Sequence, residues 1–294
     1  MKTPASPYSR RIGPDEWTYV GMGVPNVCQH VFEGEGDLTA GALAAAVEKT
    51  AEVCPGTRLH RKRRRWIDSG IAPVVREVEL EPGQQLFSHP ALHTTLNNGG
   101  PTFEVLFVRN HSDATERIQL VFRGFHGVTD ARGMLVWASD VFRTLRGEEP
   151  LGAPSDWNTA DFLNHLLPAG LPPVEHGLGK PVWASPMAPL TPGKHGMIWR
   201  RRTVMGNHAA VTAKVVAAIA SANPDADKSR FFVPVDLRRH QPDLRTTGWL
   251  SLAVNLDIES GTGWEQVHQE LLTSLSERRE FELQIGRASC RERV

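Results

Sequence analysis

The chain has 294 residues, 40% of them apolar, and its 33 Lys plus Arg balance 33 Asp plus Glu to a formal net charge of zero. That length suffices for one large domain or two lobes sharing a core, and the composition suits a folded globular protein rather than a disordered one. Neutrality gives no support to a nucleic-acid or membrane-surface role, no apolar run is long enough to span a bilayer, and Met1 to Gly13 lacks the apolar core of a secretory signal, so a cytoplasmic location is expected. The cysteines Cys28, Cys54 and Cys290 have neither metal-ligand spacing nor a disulfide pattern, and Cys28 and Cys54 read as small buried hydrophobes.

Along the chain, Leu38 to Cys54 reads as a helix. Leu43, Val47, Ala51 and Cys54 recur at helical spacing, Ala is abundant, and Pro55-Gly56 ends the run. Arg61 to Leu80 reads as a hairpin turning at Ser69-Gly70. Thr102 to Val108 and Arg117 to Phe125 alternate as strands, with a turn at Asn110 to Asp113. The period then changes. Met134, Ala138, Val141 and Leu145 form one stripe of an amphipathic helix, with Arg143 and Arg146 in its last turn and Gly147 as its cap.

Pro154 to Gly196 is rich in Pro and Gly and reads as a long linker without regular structure. A new pattern follows: strand 198–204, helix 211–222, strand 231–237, strand 250–258 and helix 264–281. The expected organisation is an N-terminal lobe 1–153, a crossover linker 154–196, a partial C-terminal lobe 197–284 and a foreign tail 285–294. The tail, IGRASCRERV, is what a common sequencing adapter encodes in one frame. The genuine sequence is therefore expected to stop near Leu283, and Cys290 carries no functional information.

The chemistry centres on Gly124-Phe125-His126-Gly127-Val128-Thr129-Asp130, where a buried strand gives way to a helix. An imidazole there projects from a rigid junction, and imidazole is the usual general base near neutral pH. The alternative for His126 is a hydrogen-bonded structural histidine. Asp130 is equally readable as a helix N-cap, shared with Thr129. The run Arg61-Lys62-Arg63-Arg64-Arg65 is either a solvated strand face or a phosphate-binding patch. The remaining histidines, His30, His60, His89, His93, His111 and His208 among them, have no metal-ligand spacing, and no metal site is expected.

The HxxxD of His126 to Asp130, with the helix ending DVFRTLRG behind it, resembles the active-site motif of the condensation-domain and CoA-dependent acyltransferase superfamily. Asp37 to Leu59 is similar to that family's first helix and the segment after it. Val233 to His240 (VPVDLRRH), followed by Gly248 and Asn255, is similar to a second-lobe region. The resemblance implies an α/β fold of two chloramphenicol-acetyltransferase-like lobes with mixed sheets, the second incomplete. It implies an acyltransferase in which His126 takes a proton from a hydroxyl or amine acceptor attacking an acyl thioester. The donor would be acyl-CoA or a phosphopantetheine thioester on a carrier protein, with no bound cofactor.

By the same resemblance, Asp130 points away from substrate and pairs with Arg238, clamping the two lobes; the alternative for Arg238 is a surface arginine. Gly127 would let backbone approach substrate, and Phe125 and Asn255 would line the substrate tunnel, although Asn255 in an alternating strand equally suits solvent. Two departures stand out. Phe125 occupies the place of the first histidine of peptide-synthetase condensation domains, and Ala131 that of the family's glycine, with Gly133 nearby. A stand-alone acyltransferase, the opening condensation domain of a peptide synthetase, and a non-catalytic carrier-recruiting domain all remain open.

Overall fold

The computed structural model describes residues 8–21, 26–96, 99–110, 117–167, 203–222 and 227–282. Outside them lie the turn expected after Asn110, the Pro/Gly-rich stretch from 168, residues 198–202 of an expected strand, and the tail 285–294. The chain folds as two compact units. Among the described residues, the first combines those from 8 to 167 with 236–251, and the second those from 203 to 235 with 252–282.

The first unit opens with β1 (Ser9–Arg11) and α1 (Pro14–Gly21), then β2 (Val27–Glu35) and α2 (Ala40–Val53). Thr39 starts α2 by accepting the Ala42 amide at 3.2 Å, and Leu43, Ala46, Val47 and Ala51 face inward. A short helical turn (Pro55–Arg58) leads to β3 (Leu59–Lys62) and β4 (Arg65–Asp68). Next come β5 (Val74–Leu80), β6 (Phe103–Asn110), β7 (Arg117–Phe125) and α3 (Ala131–Leu145).

These strands form two sheets. β1-β4-β3 is three-stranded and antiparallel; the other, in order β2-β7-β6-β5, is mixed, because β5 runs parallel to β6 while β2, β7 and β6 alternate in direction. The hairpin expected across Ser69-Gly70 is therefore corrected. β4 turns back at Arg63-Arg64 onto β3, with Arg63 in the left-handed region at φ 56°, and β5 belongs to the other sheet. Two residues suffice for an antiparallel hairpin, which explains why the turn sits inside the basic run rather than after it.

Alternation sorts the larger sheet cleanly. Phe103, Val105, Phe107, Leu120 and Phe122 face α2 and α3, where Met134, Trp137, Ala138 and Val141 complete the main core. Leu106, Val108 and Val121 face the other way, under Leu86, Ala91 and Leu92. α3 ends as its residues predict: Gly147 at φ 78° donates to the Thr144 carbonyl, and the Glu148 amide to that of Arg143.

The expected structureless linker is also corrected at its start, where α4 (Thr159–Leu166) forms. Asn158 and Asp161 make a reciprocal capping box and Phe162 is buried, so local capping and one apolar anchor overcome the neighbouring prolines.

In the second unit, α5 (Val211–Ser221), β8 (Lys228–Asp236), β9 (Ser251–Glu259) and α6 (Trp264–Ser276) lie close to the expected spans. β8 pairs with β9, and Ala213, Val216, Leu256, Ile258 and Val267 form their own core. α6 is shorter than expected: Arg278 at φ 57° breaks it before a final helical turn at Arg279–Phe281. Thr203 and Val204 are not in a strand.

Segment 246–248 passes tightly against the rest of the first unit. A Cβ on Gly133 would lie 2.4 Å from the Thr247 carbonyl oxygen, and one on Gly56 would lie 2.1 Å from Thr247 Oγ1. Gly133→Ala should thus destabilise the protein by about 2 kcal/mol in urea unfolding, the cost of overpacking. Helix propensity alone predicts the opposite sign, a gain of up to about 1 kcal/mol.

Candidate functional site

β7 ends at Phe125 and α3 begins at Ala131, so His126 to Asp130 form the turn between them. The turn is bonded at both ends. The His126 amide donates to the Asn26 carbonyl at 2.8 Å, and the Val128 amide to that of Phe125 at 2.9 Å. The half-buried imidazole sits with Nδ1 3.0 Å from the Thr129 carbonyl oxygen. A carbonyl can only accept, so Nδ1 carries a hydrogen, and in the neutral ring the lone pair then lies on Nε2. Nε2 has no hydrogen-bond partner among the described residues. That is the tautomer a general base needs.

Two aromatic rings flank the imidazole. Tyr19 of α1 lies 4.4 Å away between centroids and Trp249 lies 5.5 Å away, with 4.9 Å between the two rings. Burial pushes the Tyr19 hydroxyl above its ordinary range, helped by Cys28 and Asp15. Cys28, on β2, brings its Sγ 3.9 Å from the same Thr129 carbonyl. Burial lifts that thiol to about 12, with Asp130 adding to the effect, so it stays protonated and is no nucleophile. Burial lowers the His30 imidazole, against the opposing pull of Asp130.

Asp130 is at once a cap and an ion-pair partner, so both readings of it hold together. Oδ1 accepts the Gly133 amide at 2.6 Å, while Oδ2 accepts Arg238 at 3.1 Å and the Leu250 amide at 2.7 Å. Arg238 and Asp130 are only 6% and 5% exposed. Arg238 also bonds Asp236 at 2.8 Å and donates to the Gly248 carbonyl. The family resemblance implies a pair that spans two lobes, whereas both members lie in the first unit, because 236–251 belongs to it. The bonds to Gly248 and Leu250 hold Trp249 by the peptide groups on either side of it.

Other expected residues fall elsewhere. Phe125 is 5% exposed and packs in the main core, edge-on to Trp66 at 6.1 Å. A Cβ on Gly127 would lie 2.4 Å from that Phe125 ring, so the close approach its small size permits is to the protein's own core. Asn255 lies on β9 in the second unit, half-buried, with an unpartnered Oδ1. Residues Lys62 to Arg65 are exposed around the β3–β4 turn. No group of metal-ligating side chains occurs among the described residues, and no helix there is long and apolar enough to cross a membrane.

Three arrangements were missed in the sequence. Arg10 and Glu16 pair at 2.5 Å in the interior; Glu16 also accepts the Gly13 amide and the Trp66 indole, and Arg10 reaches the Val128 carbonyl at 3.4 Å. Glu16 falls three residues after Gly13, a half capping box that could have drawn notice. Asp140, fully buried, accepts Arg245 at 2.9 Å and the Leu151 and Gly152 amides. Its signal was an acid inside the apolar stripe of α3. Arg123, fully buried, pairs with Glu104 and bonds Gln29 and Thr94.

No family model and no curated protein matches the chain. Solved structures do. The chain is similar to a tallysomycin biosynthesis protein, with TM-score 0.60 and 16% identity over 95% of this chain and 75% of that one. It is similar to the first condensation domain of the calcium-dependent antibiotic synthetase, in complex with a substrate analogue, with TM-score 0.58 and 15% identity over 95% and 76%. It is also similar to the starter condensation domain of rhizomide synthetase, a mutant in complex with C8-CoA, with TM-score 0.59 and 14% identity over 96% and 76%. The fold is thus the α/β, mixed-sheet architecture of condensation domains.

Two outcomes test the site's electrostatics. Arg238→Ala leaves the Asp130 carboxylate buried without its cation and should cost about 3–5 kcal/mol in chemical unfolding. Burial raises the Asp15 carboxyl from 3.8 to about 6, with Glu16 adding to the effect. Its folded-state contribution is complete below the unfolded value and is lost as pH rises through about 6. Asp15→Asn should therefore raise the melting temperature above about pH 6 and match the parent below about pH 4, as followed by circular dichroism.

Proposed function

We propose that this chain carries out condensation-type acyl transfer, with His126 as general base and a carrier-bound or CoA thioester as donor. One observation carries the reading: Nδ1 of His126 is committed to the Thr129 carbonyl, which leaves Nε2 basic at a turn held by a buried Asp130–Arg238 pair. The likeness to condensation domains of two synthetases supports it and favours a synthetase-type domain over a free-standing enzyme. CoA as donor draws support from the rhizomide starter domain, whose structure holds C8-CoA.

In this reading the acceptor hydroxyl or amine gives its proton to Nε2 as its oxygen or nitrogen attacks the thioester carbonyl carbon. The new C–O or C–N bond forms and the C–S bond breaks. His126 returns the proton to the departing thiolate. Asp130 and Arg238 serve position rather than proton transfer, because both carboxylate oxygens of Asp130 are taken up by Arg238 and by backbone amides.

Thiol release from acyl-CoA and from acylated phosphopantetheine, with a panel of alcohols and amines, tests the reading. His126→Ala should lower turnover by about 10²–10⁴-fold or more while leaving the melting temperature within about 2 °C. Unchanged turnover in that variant would remove His126 from catalysis. Thioester binding without turnover in either protein would favour the non-catalytic, carrier-recruiting reading.

A further inference from the structure

The outer face of the β1-β4-β3 sheet carries an unusual charge row. Arg11 lies directly opposite Arg65, and Arg65 directly opposite Lys62, so three cations stand side by side across three strands. Like charges in directly opposed positions oppose sheet formation. All three are exposed, as are Arg63 and Arg64 at the adjoining turn. Arg65 bonds only the neutral Ser9, through its hydroxyl at 2.9 Å and its carbonyl at 3.1 Å. No carboxylate among the described residues makes a salt bridge to any of these five.

Beside the row lies a cavity of about 290 Å³, lined chiefly by His60, Ile71, Ala72, Pro73, Pro101 and Phe103. His60 shares the outer face of β3 with Lys62, one strand repeat along, so the cavity and the cations adjoin. Ile71 at its lip is 70% exposed.

We propose that this face docks an acidic protein surface, whose apolar anchor side chain enters the cavity while its carboxylates meet the cation row. A small anion is a poor fit, because single exposed cations are screened by water and salt and hold little. Several cations facing one macromolecule instead act as a steering field, and an apolar pocket beside them supplies the anchor that such interfaces concentrate their affinity in. Nucleic acid fits less well: the chain has zero net charge, and the aromatic within these strands, Trp66, is fully buried. This surface is independent of the role given to His126.

The test uses the whole chain and a fluorescent helical peptide of about 16 residues with Glu at i, i+4 spacing and one central Phe. Binding is read by anisotropy and stability by thermal melting. Lys62→Glu places an opposite charge beside Arg65, so it should raise the melting temperature by about 2 °C at low salt, a gain that disappears in about 1 M salt. The same substitution should weaken peptide binding at least ~10-fold, as should Ala72→Trp, which fills the cavity, or Ala in place of the peptide's Phe. Absence of binding, affinity indifferent to all three changes, or equal competition by an oligodeoxythymidylate of the same length would overturn the proposal.

Discussion

A carboxylate taken out of water is tolerable only when nearly every lone pair finds a donor. Asp130 meets that condition with three: the Gly133 amide, the Arg238 guanidinium and the Leu250 amide. Together these bonds fix two separate parts of the chain. The first starts α3 and so ends the turn bearing His126. The second and third tie down a segment more than a hundred residues later in the chain, whose Trp249 then stands beside the imidazole. Remove the carboxylate and the helix start, the turn and the aromatic wall lose their common reference.

Arginine–carboxylate pairs hold the turn and helix from other sides. Arg10, anchored by Glu16, bonds the Val128 carbonyl, while Tyr19 on the same N-terminal helix as Glu16 rests against the imidazole. Arg245 on Asp140 fastens α3 further along its length and also bonds the Gly152 carbonyl. Guanidinium suits these places because its planar fork serves a carboxylate and a carbonyl together. The arrangement orients one ring nitrogen inward to a carbonyl and leaves the other unspent.

What could be read from the sequence follows the range of the forces involved. Helices α2, α3 and α5 and strands β6 to β9 are close to their expected spans, because apolar periodicity and local caps decide them. The junction at His126 was legible for the same reason, and the Asp130–Arg238 pair through a family resemblance. Pairing between distant strands was not. Nothing local says that β4 folds back on β3 at Arg63-Arg64, or that β5 lies parallel to β6. The buried polar groups were harder still: Arg10, Glu16, Arg123, Asp140 and Arg245 look like surface residues until their partners are known. α4 was hidden by nearby prolines, although Asn158 and Asp161 carry its capping signature.

The membership of residues 236–251 in the first unit has a temporal consequence. During synthesis the N-terminal 170 residues leave the ribosome with Asp130 and Asp140 both lacking their arginines, and with the groove beside Gly133 and Gly56 empty. Domains ordinarily consolidate in the order in which they emerge. Here the contacts of the earlier unit with residues 236–251 form only once that strip, from much later in the chain, has been made, and it is this strip that brings the wall beside the histidine.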